Sequence, residues 1–263
     1  IVQQQPVPAE HSVRIAENLD FFVQAIEGIP EDRLHQLWIG VSKLTAVDIA
    51  LDRDQDNPQL IFESMNSTGL DLSQADLIRN YVLMGLEPSH QASLYEHHWR
   101  PMELGFSQQS YSTNFDGFMR HYLTVKTGDI PKISAVYEAF KSHASQPEVE
   151  TEGIDALVQD LKAYSRYYCA FALDAEKDAD LAEAFRDLRE LRADVVYPLL
   201  LELYADYQND VLPHDDLVAA VRLIEAYIFR RAICAIPTNS LNKTFANFGK
   251  GLSKDRYLES IEA

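Results

Sequence analysis

Long apolar runs are missing from this chain. No stretch of about 18 apolar residues occurs in its 263 positions, which argues against a membrane-spanning helix. Cysteine is scarce too. Cys169 and Cys234 are the only two, each inside an apolar helical pattern, so both are expected to be buried, reduced thiols in a cytoplasmic protein. Basic residues are few: 23 Lys and Arg stand against 41 Asp and Glu, a net charge of −18. DNA affinity rests on neutralising phosphates with Lys and Arg, and no Lys/Arg-rich run is present. A surface this acidic is not expected to be the part that grips a duplex. Glycine-rich phosphate loops are absent as well, whether of the P-loop or the GxGxxG kind, and no GxSxG nucleophile turn occurs. Metal chemistry finds little footing. Glu87-x-x-His90 has the spacing of a di-iron helix motif but is interrupted by Pro88, and His97-His98 lacks further ligands at suitable spacing. No metal site, no catalytic residue and no cofactor held by this chain is expected.

What is present is helical periodicity. With 46% hydrophobic and 24% charged residues, the composition is that of a globular protein with a core of its own. Ile15, Leu19, Phe22, Val23 and Ile26 recur at helical spacing and are stopped by Gly28 and Pro30. Helices are predicted over about 31–41, 57–66, 73–86, 90–104, 112–125 and 133–144. In the second half, Leu157, Leu161, Tyr164, Tyr168 and Phe171 make one long stripe. Helices over 182–191 and 195–207 follow, the latter with Pro198 in its first turn, where a missing N–H is tolerated. Leu217, Val221, Ile224 and Ile228 mark another helix, with Asp215 and Asp216 at its positive end and Arg230 and Arg231 at its negative end. Thr238 is placed to cap a last helix bearing Leu241, Phe245, Phe248 and Leu252.

One segment breaks the pattern. Thr45, Val47, Ile49 and Leu51 alternate with Ala46, Asp48 and Ala50, the period of a strand. A lone strand needs a partner. A severed N-terminal sheet domain, or a hairpin with residues 37–41, would supply one. The fold expected is therefore mainly α, a multi-helix bundle with one short strand near 44–51. The polar, acidic stretch 146–153 reads as a linker, dividing a helical region at 1–145 from a helical domain at 146–263.

The densest local chemistry lies in IFESMNSTGLDLSQADLIRNYVLM, residues 61–84. Gly69 sits where a chain reversing after a helix needs a left-handed residue. Ser73 is the N-cap of a second helix, Asp76 its capping-box acid, and Leu72 with Leu77 form a hydrophobic staple. Phe62, Glu63, Asn66, Thr68, Gly69, Leu72, Ser73, Ala75 to Ile78 and Asn80 together resemble a signature of the GmrSD-like restriction proteins. These are modification-dependent, nucleotide-using DNA endonucleases of bacterial anti-phage defence. The match is specific over about two dozen residues and weaker through RRAICAIPTNSLNKTF, up to Phe245. The family's DGQQR-type nucleotide motif and HNH-type nuclease motif are both missing. The resemblance therefore implies the helical middle of such a protein, trimmed at both ends and inactive alone. The parent would use a nucleoside triphosphate and Mg²⁺ and act on DNA. The partners implied are the flanking nucleotide-using and nuclease domains, with a homodimer as a further expectation.

Two readings of the corner stand side by side. Asn66, Thr68, Gly69, Asp76, Arg79 and Asn80 either satisfy one another as a capped bend or support the adjoining nucleotide domain. Asp71 and Asp76 place negative charge at the helix start, which disfavours direct phosphate contact there. Arg79 is either solvated or a partner for Asp76, Glu63 or a nucleotide. Arg230 and Arg231, with Asn239 and Asn242, are either an ordinary charged helix end or an interdomain or DNA contact. The rival reading, from a different class, is a non-enzymatic helical module for protein interaction or oligomerisation.

Overall fold

The computed structural model describes residues 13–46, 61, 72–107, 110–237 and 240–262, and divides the chain into two compact units, 1–58 and 59–263. Every regular element among the described residues is helical, as the periodicity predicts. The strand expected over 44–51 falls mostly outside them, and Leu44 to Ala46 carry no regular structure. The helix expected over 57–66 lies outside as well, apart from Ile61, which is helical.

The first unit contains α1 (Val13–Ile26) and α2 (Glu31–Ser42), with Pro30 as N-cap of α2 and Glu31 and Asp32 in its first turn. Its apolar side chains remain outside: Trp38 is 70% exposed and Phe21 64%, and α2 buries none of its residues.

The second unit holds the core. Its elements are α3 (Gln74–Leu83), α4 (Pro88–Leu94), a π-helical turn at Tyr95–Trp99, α5 (Arg100–Gly105), α6 (Tyr111–Thr127), α7 (Val136–Ala144) and α8 (Pro147–Ala172). There follow α9 (Ala179–Glu190), α10 (Tyr197–Gln208), α11 (His214–Ile233), α12 (Leu241–Phe248) and α13 (Tyr257–Glu262). Helices α6, α8 and α10 pack against one another at the centre. Helices α3 and α7 lie on α6, α5 lies on α8, and α12 on α10, while α9 joins α8 to α11.

An aromatic seam joins the central three. Tyr111, Phe115, Phe118 and Tyr122 recur at four, three and four residues along α6, so they share one buried face. Across it, Phe118 and Tyr168 have ring centroids 5.6 Å apart, and Phe171 meets Tyr197 at 5.2 Å. The stripe predicted on α8 is this same face: Leu157, Leu161, Tyr168 and Phe171 are all buried. His121 stacks on Tyr168 within the seam, and burial lowers its pKa to about 3, so it stays neutral.

Residues 146–153, which read as a linker, start α8. Pro147 takes a first-turn position and Glu148 and Glu150 complement the helix dipole. Gly153 leaves helical geometry with φ 85°, a kink open to glycine alone at little strain. Pro198 sits in the first turn of α10, and α11 carries Asp215 and Asp216 in its first turn and Arg230 and Arg231 in its last. The cysteines divide. Cys169 is buried as expected, and its pKa is pushed up to about 11 by burial. Cys234 is exposed, correcting the expectation, because α11 ends at Ile233 beyond the last core-facing residue, Ile228.

Candidate functional site

The described half of the corner is the start of α3. Ser73 is its N-cap: the Oγ accepts from the Asp76 N–H at 3.1 Å, and its hydroxyl donates to Asp76 Oδ2 at 2.7 Å. The expected capping box thus closes through the serine hydroxyl. Asp116, on α6, accepts from the Ala75 N–H at 2.9 Å. Gln74 reaches the other way, its Oε1 accepting from the Tyr137 N–H in the first turn of α7 at 2.8 Å. Beneath these bonds Ala75, Ile78 and Val82 are buried against the core. The free N–H groups that a helix start offers are therefore engaged by protein at Ala75 and Asp76.

Arg79 organises the polar face. It pairs with Asp76 Oδ1 at 3.1 Å and with Glu103 Oε1, on α5, at 3.1 Å. The other Glu103 oxygen accepts from the Tyr95 hydroxyl at 3.0 Å. Burial works against the charge of Arg79, but Glu103 and Asp76 outweigh it and hold its pKa above the ordinary value. Burial raises the Asp116 pKa to about 6, against the Ala75 hydrogen bond and helped by the nearby Asp76 carboxylate. Burial first, and then Glu103, keeps the Tyr111 hydroxyl neutral, and that oxygen accepts from the Trp99 indole N–H at 3.1 Å.

Chemically, the site is two carboxylates, Asp76 and Glu103, around one guanidinium, with a third, Asp116, on the backbone of the α3 start. It repels a phosphate, and Arg79 is already bound on both sides. What it does well is hold α3, α5, α6 and α7 in a fixed register.

Of the residues expected to act here, Asp76 and Arg79 are brought together. Asn80 lies on α3 and its backbone carbonyl accepts from the Met84 N–H at 2.8 Å. Asn66, Thr68 and Gly69 lie outside the described residues, as does Asn239. At the other candidate contact, Arg230 and Asn242 are exposed, whereas Arg231 donates to the Pro237 carbonyl at 2.6 Å and to the Tyr227 hydroxyl at 3.2 Å. Arg231 thereby closes the turn after α11. Sequence reasoning missed Gln74, Tyr95, Glu103 and Asp116. Only Gln74 carried a local signal, as a polar residue next to the cap.

A separate cluster, Asp178, Asp180 and His214, has ligand-type atoms within 4.8 Å of one another. Its bonds account for that closeness. Asp178 caps α9 by accepting from the Asp180 and Leu181 N–H groups, and His214 reaches Asp178 at 3.0 Å and Asp215 at 2.9 Å. The Asp215 bond first, then Asp178, raises the His214 pKa to about 9. Because the folded value lies above the unfolded one of about 6.5, this bridge is at full strength below pH 6.5 or so and is lost as pH rises through about 9. On the acid side it fades as Asp178, whose pKa the His214 bond holds below normal, takes up its proton. NMR titration of the imidazole should give a midpoint near 9, falling toward the ordinary range in Asp215→Asn. An unshifted wild-type midpoint would show that the bridge does not form.

No protein-family model matches the chain, and neither does any of the curated proteins or solved structures compared with it.

Proposed function

We propose that the chain is the helical scaffold of a GmrSD-like, nucleotide-dependent DNA restriction protein of anti-phage defence. In this role it braces the nucleotide-using domain and links it to the nuclease domain, without cutting DNA itself. The observation that carries the reading is the closed network at the start of α3. The residues of the family-like signature that are described there, Ser73, Ala75 and Asp76, spend their hydrogen bonds on holding helices together, with Arg79 bound between Asp76 and Glu103. That is the work of a buttress. The acidic balance of the chain supports the same division of labour, leaving DNA contact to other parts of the parent.

A second reading, a helical interaction or oligomerisation module, is favoured by the exposed Phe21, Phe22, Leu37 and Trp38 on α1 and α2. The coding sequence on either side of this segment separates the two. A DGQQR-type motif upstream and an HNH-type motif downstream are expected; their absence would select the interaction module. In a complementary assay, the purified chain with modified and unmodified DNA, nucleoside triphosphate and Mg²⁺ should leave the DNA intact. Cleavage would refute the scaffold role.

A further inference from the structure

A cleft of about 430 Å³, within the size range of small-molecule sites, opens among α5, α8, α10 and the loop from α8 to α9. Its polar lining includes Arg166, Tyr167, Glu176, Lys177, Tyr204 and Gln208. The loop is fixed rather than slack. The Ala175 N–H donates to the Cys169 carbonyl at 3.1 Å, and Arg189 donates to the Phe171 carbonyl at 2.8 Å while also binding Asp174.

The cleft brings two bases together in a chain of net charge −18. Arg79, Lys126, Arg189, Arg222 and Lys254 each pair with a carboxylate. Arg166 and Lys177 have no ion pair among the described residues, although acids outnumber bases nearly two to one. The carboxylates nearby are already engaged. Glu176 accepts from the Tyr204 hydroxyl at 2.5 Å and from the Lys177 and Asp178 N–H groups at 2.7 and 2.9 Å. Asp174 is held by Arg189, and Asp178 by the first turn of α9 and by His214. Two unneutralised cations therefore line one concavity whose only lining acid is satisfied by three donors. Alongside them lies an aromatic wall, the half-buried Tyr167 ring tilted 34° against Tyr204 with centroids 5.3 Å apart.

We propose that this cleft binds a small aromatic phosphate, the phosphate on Arg166 and Lys177 and the ring against Tyr167. A dianion suits a pair of cations with no other partner, and guanidinium geometry matches phosphate oxygens. An aromatic wall adds preference for a ligand with a planar face. The site is independent of the α3 network and of the function proposed above.

Phenyl phosphate is the direct probe, titrated by calorimetry and by NMR shift mapping. A ligand of this size should bind with a Kd on the order of 1 mM. Inorganic phosphate and phenol, its two halves, should each bind at least about tenfold more weakly. The double variant Arg166→Gln/Lys177→Gln should lose about tenfold in affinity with an unchanged melting curve, as both side chains are exposed. Tyr167→Leu should bring phenyl phosphate down toward inorganic phosphate. In the wild type the shifts should centre on Tyr167, Tyr204 and Gln208, a readout that needs no variant to fold. No binding up to about 10 mM, parity with inorganic phosphate, shifts centred elsewhere, or a double variant that binds normally would each overturn the assignment.

Discussion

Phe106→Ala should destabilise the second unit by about 3–5 kcal/mol, the largest effect expected of any single change considered. Phe106 is fully buried at the end of α5. Its ring lies 5.5 Å from those of Phe115 and Phe118, 6.1 Å from Tyr168 and 6.4 Å from Tyr111, so it bridges α5, α6 and α8. Truncation removes the transfer free energy of the ring and leaves a cavity bounded by rigid aromatics that collapse poorly into it. Urea unfolding followed by far-UV circular dichroism is the test, with the midpoint falling and the slope unchanged. A loss under about 1 kcal/mol would mean that the seam repacks around the gap and does not hold the three helices as described.

Arg79→Ala comes next, with an expected loss of about 1–3 kcal/mol. The mutation leaves Asp76 and Glu103 facing each other without their shared cation, and both carboxylates are mostly shielded, at 19% and 18% side-chain exposure. Arg79 itself is 32% exposed, so solvent screening keeps the loss below that of a fully buried pair. The pairing can be isolated by a double-mutant cycle with Glu103→Gln, which should give a coupling of about 1 kcal/mol or more. Arg79→Lys should recover only part of the loss, since a single ammonium does not reproduce the forked contact to two carboxylates. Additive single mutants would remove the energetic basis for reading this corner as a brace.

How much of this was legible in the chain follows from the range of each interaction. The Ser73 cap is local, with donor and acceptor three residues apart, and so are the α8 stripe and the charged ends of α11. Such features are written in spacing. The partners of the α3 start are not. Ala75 and Asp116 are 41 residues apart, Gln74 and Tyr137 63, and Arg79 and Glu103 24, and no periodicity links them. The misread acidic stretch at 146–153 shows the opposite hazard. Local polarity there signals the favoured first turn of a helix as readily as a linker, and the kink at Gly153 separates that turn from the stretch bearing Leu157 and Leu161. Cys234 was misplaced because an apolar pattern carried past the end of α11 does not reveal where the core stops.

The π-helical turn at Tyr95–Trp99 carries a consequence for how this region can change. A π turn holds one more residue than an α turn, so everything after it is rotated by roughly 100° about the helix axis compared with an uninterrupted α-helix. That offset is what lets Trp99 and Met102 face inward while Glu103 meets both Arg79 and the Tyr95 hydroxyl. The segment therefore tolerates exchanges of side chain far better than changes in length. Losing one residue between Tyr95 and Trp99 would restore a regular helix and swing Glu103 off its partners, with every contacting residue still encoded. Chain length in this turn is itself a structural parameter, invisible to any comparison that scores residue identity alone.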